Sequence, residues 1–316
     1  MTYSWDAERV LVTGASGFIG SFLVETLVRR GAVVHCLLRP SSSTRHLRVV
    51  LDSIQIHRAG LTESEALAEA AAAAHPETVF HLAATGATDV HVSPLWATQV
   101  NVEGTLNLLQ ALDGDYRVFV NTGTCHEYGD NPPPFCEGQD PRPELAYAIT
   151  KTAAWRFCQY YHKNEGWPIV TVRPFSVYGP RQAANTFVSA CLRAAKGRLP
   201  FDMTPGEQTR DWIYVQDVVE GLLRAAEEPA GIGGTFNLCT GHETSLYEVA
   251  EIIVREVAAQ QGLPPVAINR GALAYREAEI WRLVGSPAYA RDVLGWTART
   301  SLENGLRQTI RVPVPA

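Results

Sequence analysis

Short apolar runs alternate with segments of helical spacing along the first 174 residues of the chain. After the apolar run at 9–13, for example, residues 21–30 place apolar side chains at intervals typical of one helix face. The pattern predicts strands at 9–13, 33–38, 78–82, 117–121 and 169–173, and helices at 21–30, 66–74, 95–112 and 146–164. Such alternation favours a parallel sheet with helices on both faces, so we predict an α/β, Rossmann-type doubly wound fold.

The regular alternation ends at Pro174. Beyond it, loops rich in Pro and Gly mix with shorter helical segments, notably 246–260. We therefore expect one domain at 1–174 and a smaller region at 175–316 that closes over the sheet, with segments near 207–240 returning to the first domain.

Composition narrows the class of protein. The chain has 316 residues, 46% of them apolar, and a net charge of −6 without a basic run, which argues against nucleic acid as a partner. It has neither an 18-residue apolar stretch nor a secretory signal pattern, so we expect a cytoplasmic protein that does not span a membrane. The six cysteines are scattered without a Cys-x-x-Cys pair, and we expect no metal site.

A glycine-rich turn joins the first predicted strand to the first predicted helix. Residues 14–20 read Gly-Ala-Ser-Gly-Phe-Ile-Gly. In such a turn the glycines permit the tight bend, the close approach of a pyrophosphate and close packing of helix on strand. The helix N-terminus adds free N–H groups for the phosphates. We expect a dinucleotide to be bound by Gly14, Ser16, Gly17, Phe18, Ile19 and Gly20, within a dinucleotide-binding domain at 1–174.

Arg39 follows the second predicted strand, where an acidic residue would select NAD through the ribose 2′-hydroxyl. An arginine cannot accept those hydrogen bonds but can bind a 2′-phosphate, and serines at 41–43 lie beside it. Arg39 therefore favours NADP, with NAD as the alternative.

Tyr147 and Lys151 lie four residues apart on a predicted helix, which places both side chains on one face. A nearby ammonium lowers the pKa of a phenol and so makes it a better acid or base near neutral pH. The same lysine can hold a ribose hydroxyl. An isolated Tyr-x-x-x-Lys match is weak evidence, but it gains weight from the glycine motif upstream.

These residues resemble the extended short-chain dehydrogenase/reductase family, in its branch of NAD(P)-dependent nucleotide-sugar epimerases, dehydratases and reductases. The resemblance covers about residues 9–310 and depends on motifs that occur in the expected order. They are residues 13–20, 81–84, 101–105, 122–124, 127–129, 147–151, 173–181, 210–218 and 294–296.

The resemblance implies roles for individual side chains. Tyr147 is the general acid/base, Lys151 tunes it and holds the nicotinamide ribose, and Thr124 hydrogen-bonds the substrate oxygen. Further cofactor contacts are expected at Leu61, Leu82, Ala83, Ala84 and Pro174. Substrate contacts are expected at His126, Ser176, Arg181 and Arg210, of which Arg210 would bind the diphosphate, unless it pairs with Asp211 or Asp217 in a structural salt bridge.

Departures from the family pattern bear on the reaction. Dehydratases carry acidic residues just after the catalytic threonine, where this chain has Cys125 and His126, so a 4,6-dehydratase is disfavoured. Together with Arg39, this favours an NADP-dependent reductase of a nucleotide-linked 4-keto-6-deoxyhexose. The alternatives are a nucleotide-sugar 4-epimerase that holds NAD and, less favoured, a non-catalytic NADP-binding protein.

The family commonly forms homodimers through two helices of each subunit. The resemblance places them at 95–112 and 146–164. Trp96, Leu106, Trp155 and Tyr160 are then candidates for the dimer face, although a place in the core of the subunit explains them equally well.

Overall fold

The computed structural model describes residues 3–88, 91–276 and 279–312. Seven parallel strands form its main sheet, in the order β10-β6-β5-β4-β1-β2-β3. The strands, in chain order, are β1 Arg9–Thr13, β2 Val33–Leu38, β3 Ile54–Arg58, β4 Thr78–His81, β5 Val118–Thr122, β6 Ile169–Pro174, β7 Ser176–Tyr178, β8 Phe201–Met203, β9 Thr209–Tyr214, β10 Thr235–Leu238, β11 Glu243–Ser245, β12 Ile268–Arg270 and β13 Arg282–Leu283.

Helices lie between most of these strands. They are α1 Phe18–Arg29, α2 Ser64–Ala74, α3 Pro94–Thr98, α4 Gly104–Leu112, α5 Ala146–Glu165, α6 Phe187–Lys196, α7 Val215–Glu227, α8 Leu246–Gln261, α9 Ala288–Leu294 and α10 Leu302–Arg311. Within the described ranges, we find no helix with the length and apolar content that crossing a bilayer requires.

Both faces of the main sheet are buried, because alternate residues of its strands enter different clusters. Val10 and Val12 of β1 pack with α1 and α7 on one face. Leu11, between them, packs with α2 and α4 on the other face. Two covered faces explain why these strands read as continuous apolar runs. The predicted doubly wound fold is confirmed.

The residues after β6 divide between two regions. α7 packs against β5 and β6, and β10 forms an outer strand of the main sheet, so the chain returns to the sheet between 215 and 238. Strands β7, β9, β11 and β13 form a separate four-stranded sheet. Helices α6, α8 and α10 contribute to a third apolar cluster with Tyr178 and Tyr214.

The helix predicted at 95–112 is interrupted. A π-helical turn at Gln99–Glu103 separates α3 from α4, and the side chain of Asn101 in that turn is fully buried. Asn101 accepts a hydrogen bond from the N–H of Thr85 at 2.8 Å and donates to the hydroxyl of Thr150 at 3.0 Å. The turn therefore connects the loop after β4 with α5.

Candidate active site

The glycine turn at 14–20 has no space for larger side chains. Gly14 adopts φ +68°, and a Cβ atom there would lie 2.8 Å from the backbone nitrogen of Ala83. A Cβ on Gly20 would overlap the carbonyl of Gly14. The turn thus brings α1 and β4 close to β1, as the motif predicts.

The N-terminus of α1 is open to a ligand. Gly17 occupies the N-cap without a side-chain hydrogen bond, and the first turn has no acidic residue. The first intrahelical bond runs from the N–H of Ser21 to the carbonyl of Gly17 at 3.0 Å. Because the earlier N–H groups and the helix dipole favour an anion, these residues fit the pyrophosphate of a dinucleotide.

A cleft with about 920 Å³ of empty space follows this turn along the carboxyl ends of the strands. Thr62, Thr85, Trp96 and Val100 also line the cleft, and the sequence did not assign them to it. The predicted cofactor residues that line it are Gly14, Ser16, Gly17, Arg39, Leu61, Leu82, Ala83 and Ala84. Of the other predicted contacts, Phe18, Ile19 and Gly20 form the first turn of α1, and Pro174 ends β6.

Arg39 lies exposed at one end of the cleft, next to Ser42. The loop that carries it is fixed by Arg58, whose guanidinium donates to the carbonyls of Arg39 and Ser42 at 3.1 and 3.0 Å. The sequence did not single out Arg58. It adds a second cation to the end of the cleft where a 2′-phosphate is expected.

His81 ties the cleft wall together through a chain of hydrogen bonds. Its Nδ1 atom lies 2.8 Å from the hydroxyl of Thr13, which accepts from the N–H of Ala83, and its Nε2 atom lies 3.0 Å from the hydroxyl of Thr105. The Thr105 hydroxyl donates to the carbonyl of Asn101, so it accepts from Nε2–H, and Nδ1 accepts from Thr13. Burial, with the positive charge of Lys151, lowers the pKa of His81 to about 3, so the ring is neutral.

Thr124 and Tyr147 meet at the carboxyl end of β5. Thr124 caps the 3₁₀ turn Cys125–Tyr128 and is buried, and its side chain lies near enough to Tyr147 to act on the pKa of the phenol. Burial raises the pKa of Tyr147 above its ordinary value, and the negative charge of Glu127 raises it further. The prediction that this pKa is lowered is therefore wrong here, and the phenol is protonated at neutral pH.

Lys151 lies one helical turn beyond Tyr147 and is 2% exposed. Burial lowers the pKa of its ammonium, and the negative charge of Glu127 opposes that effect. Its ammonium is near enough to His81 to lower the pKa of that ring. The structure thus brings Thr124, Tyr147 and Lys151 together, as the sequence predicts.

The sequence assigned no role to Glu127, which lies under this group. Its side chain and that of Arg173 are both 0% exposed and form an ion pair at 2.8 Å. The only sequence signal was the Thr-x-x-Glu spacing of a capping box, and the structure contains that box at Thr124. Because Arg173 holds its carboxylate, Glu127 is not free to act on a substrate as a dehydratase acid would.

His126 and Arg210 form the neighbouring part of the site. The Nδ1 atom of His126 is buried and has no hydrogen-bond partner in the described part of the chain. Burial and the positive charge of Arg210 lower the pKa of His126 to about 4. The neutral ring is therefore available to hydrogen-bond a ligand. Ser176, also predicted to bind substrate, is partly buried at the start of β7.

Arg210 has a different ion-pair partner from those considered in the sequence. It pairs with Glu279 at 3.1 Å and donates to the carbonyl of Ile280 at 2.7 Å. Asp211 instead accepts from residues 240–241, and Asp217 accepts from the N–H groups of 299 and 300. Both alternative pairings were wrong, since these carboxylates accept from backbone N–H groups and from the Thr240 hydroxyl.

Two other residues named from the sequence form contacts within the subunit. Arg181 pairs with Glu25 of α1 at 2.7 Å and stacks over the ring of Phe22. Trp155 is 6% exposed and lies under Arg173, so it belongs to the core rather than to a dimer face.

The family of the chain follows from comparison with known proteins. Residues 10–239 match the model of the NAD dependent epimerase/dehydratase family. The chain belongs to this family. Its members are NAD(P)-dependent epimerases, dehydratases and reductases of the extended short-chain dehydrogenase/reductase type, so the protein is an enzyme of that type.

Individual members of the family are similar over nearly the whole chain. UDP-glucose 4-epimerase of Mycolicibacterium smegmatis is 33% identical over 96% of this chain and 97% of its own length. GDP-6-deoxy-D-mannose reductase of Pseudomonas aeruginosa is 28% identical over 95% of each. The structure of RMD from P. aeruginosa in complex with NADPH superposes with a TM-score of 0.81, at 28% identity over 96% of this chain and 98% of that one.

Proposed function

We propose that this enzyme uses NADPH to reduce the C4 ketone of a nucleotide-linked 4-keto-6-deoxyhexose. The observation that carries the proposal is Arg39, an exposed cation at the end of the cleft, where an enzyme specific for NAD needs a hydrogen-bond acceptor. Arg58 supports the same choice because it fixes the loop that presents Arg39.

The cleft fits the cofactor in its other parts as well. The open N-terminus of α1 suits the pyrophosphate, and Leu61 lines the cleft where the adenine is expected. When bound, NADPH supplies the hydride. The family resemblance gives Lys151 the nicotinamide ribose, and its burial beside His81 is consistent with that role.

The proton comes from Tyr147. Reduction adds a hydride to C4 and a proton to the C4 oxygen, so the acid must be protonated when the hydride arrives. Burial and the charge of Glu127 keep the phenol in that form. The Thr124 hydroxyl, which lies beside the phenol of Tyr147, can hold the same substrate oxygen in line.

Dehydration is disfavoured by the residues after Thr124. Burial raises the pKa of the Cys125 thiol to about 12, so it is neither an acid nor a base near neutral pH. His126 is neutral, and Glu127 is held by Arg173. None of the three offers the carboxyl group that eliminates water across C5 and C6.

The substrate diphosphate is assigned to Arg210. Burial lowers the pKa of its guanidinium, Glu279 opposes that effect, and Arg276 adds a second positive charge nearby. Two arginines and one carboxylate leave this part of the site with a net positive charge, which suits a dianionic ligand. His126 lies beside Arg210 with a free Nδ1 atom and is assigned to the sugar.

A nucleotide-sugar 4-epimerase with bound NAD is the second candidate. It is favoured by the 33% identity to the M. smegmatis UDP-glucose 4-epimerase over almost the full length of both chains. The same Tyr147 and Lys151 would serve that reaction, which takes a hydride from C4 and returns it to the other face.

The first experiment is to denature the purified protein and identify any released nucleotide. A site that releases none and binds NADPH much more tightly than NADH supports reduction, as does NADPH consumption with 4-keto nucleotide sugars. Stoichiometric NAD, together with interconversion of nucleotide hexoses, would overturn the proposed reduction in favour of epimerisation.

A homodimer is proposed through α3 and α5, which contact each other. Their outer surface exposes apolar side chains, namely Leu95 at 70%, Ile149 at 49%, Phe157 at 39% and Tyr160 at 54%. Such a patch on a soluble protein typically marks an interface. Of the residues first considered, Tyr160 is in this patch, Trp96 lines the cofactor cleft and Leu106 is partly buried.

A further inference from the structure

The ion pair between Glu127 and Arg173 is fully buried beneath the catalytic side chains. One carboxylate oxygen, Oε2, accepts from Nε of Arg173 at 2.8 Å and lies 2.8 Å from Nη2. Burying two charges is costly, and replacing such a pair with apolar side chains is often neutral or stabilising. Fold stability alone therefore does not explain why both charges lie here.

The other carboxylate oxygen of Glu127 fixes the position of Thr124. Oε1 accepts from the N–H of Thr124 at 2.8 Å, while the N–H of His126 donates to the Thr124 hydroxyl at 3.3 Å. A Cβ atom on Gly123 would overlap this same carboxylate, so the chain passes directly over it. Glu127 thus holds the backbone of Thr124, and within the same turn the N–H of His126 orients the hydroxyl.

Arg173 connects this turn to the helix of the general acid. Its guanidinium lies 4.5 Å from the ring centroid of Trp155. Trp155 follows Tyr147 and Lys151 at intervals of four residues, so the three side chains share one face of α5. Trp155 is itself anchored by a 2.9 Å hydrogen bond from Nε1 to the hydroxyl of Thr235. The pair therefore spans the gap between Thr124 and α5.

We propose that Glu127 is a positioning residue of the reaction, which together with Arg173 holds the Thr124 hydroxyl against the phenol of Tyr147. The proposal rests on the proposed role of Tyr147 as proton donor. The charge of Glu127 also helps to keep that phenol protonated, because a nearby carboxylate raises the pKa of a phenol. Glu127 touches no substrate atom in this scheme.

Two substitutions separate the geometric contribution from the electrostatic one. In Glu127→Gln we expect kcat to fall about 10- to 100-fold while KM for NADPH changes less than about threefold, because the variant loses the ion pair with Arg173 that holds Thr124 beside the proton donor and leaves the cofactor cleft intact. The high-pH limb of kcat should move to lower pH, since the charge that raises the pKa of Tyr147 is gone. Glu127→Asp keeps the charge, so kcat should fall while this limb stays in place.

Glu227→Gln is the matched control. Glu227 is a carboxylate with 8% side-chain exposure that pairs with Arg30 and Arg224, and it accepts from Trp5. It ends α7, away from the catalytic residues. Its loss should leave kcat and the pH profile as in the wild type.

Glu127→Gln with unchanged kcat and an unchanged high-pH limb would overturn the proposal. If that variant does not fold, the double variant Glu127→Gln/Arg173→Met removes the unpaired charge, and the proposal expects the same loss of kcat from it. A double variant with wild-type kcat refutes the proposal as well.

Failure of the proposed function has a different signature. A Tyr147→Phe variant with wild-type turnover refutes Tyr147 as the acid, whatever the Glu127 variants do. If the wild type epimerises nucleotide hexoses and consumes no NADPH, the reduction is refuted. The kcat of the Glu127 variants is then compared on epimerisation, where unchanged values again count against the positioning role.

Discussion

Replacing His81 by glutamine should weaken the acid sensitivity of the folded protein. Burial lowers the pKa of His81 from 6.5 to about 3, so the unfolded chain takes up a proton at this position that the folded chain does not. The contribution of His81 to the free energy of unfolding is therefore fully present above about pH 6.5, and it is lost as the pH drops from there towards about 3. Glutamine has no titratable proton and removes this contribution.

The size of the effect follows from the shift. Each pH unit between the two pKa values changes the free energy of unfolding by about 1.4 kcal/mol. Between about pH 7.5 and about pH 5, protonation of His81 in the unfolded chain then lowers the free energy of unfolding by about 2 kcal/mol. This figure holds for any folded-state pKa well below 5, so it does not depend on the lower value itself.

Urea unfolding at the two pH values measures the effect. Glutamine at position 81 can weaken the bonds to Thr13 and Thr105, so the relevant quantity is the loss between the two pH values, not stability at one of them. We expect that loss to be about 2 kcal/mol smaller in the variant than in the wild type. His75→Gln, at a histidine whose side chain is 68% exposed, is the control and should leave the loss unchanged. Equal losses in wild type and His81→Gln would refute the neutral, buried state of His81.

Four further predictions concern cofactor, catalysis and assembly. Tyr147→Phe should lower kcat at least about 100-fold, because the proton donor is lost, and should change NADPH binding little. Turnover assays measure kcat, and fluorescence titration measures NADPH binding. Arg39→Ala should weaken NADPH about 10- to 100-fold and leave NADH nearly unchanged, because only NADPH carries the 2′-phosphate, and an equal loss for both would contradict the assignment. Gly14→Ala should abolish measurable binding of either cofactor by titration, since φ is +68° and the added Cβ meets the backbone of Ala83. Phe157→Glu should convert a dimer to a monomer in light scattering, because it places a charge in the exposed apolar patch.

The sequence by itself determined the fold and the cofactor cleft. The strand β2 at 33–38 matches its prediction in both bounds, because five of its six residues are buried and only His35 interrupts its apolar run. The turn at 14–20 was also predicted, because its glycines and their place between a strand and a helix are visible in the sequence, although Gly14 packs against the distant residues 82 and 83. Tyr147 and Lys151 needed only helical periodicity to be placed together.

Tertiary structure alone decided which charges meet. Glu127 finds Arg173, Arg210 finds Glu279 and Arg181 finds Glu25, and each pair joins segments that are at least 46 residues apart in sequence. A local sequence pattern shows that an arginine is present but not which carboxylate it pairs with, because the partner depends on the packing of several distant elements at once. The pKa of Tyr147 is the clearest case. The sequence offered a lysine that would lower it, and the folded chain surrounds the phenol with buried groups and a carboxylate that raise it.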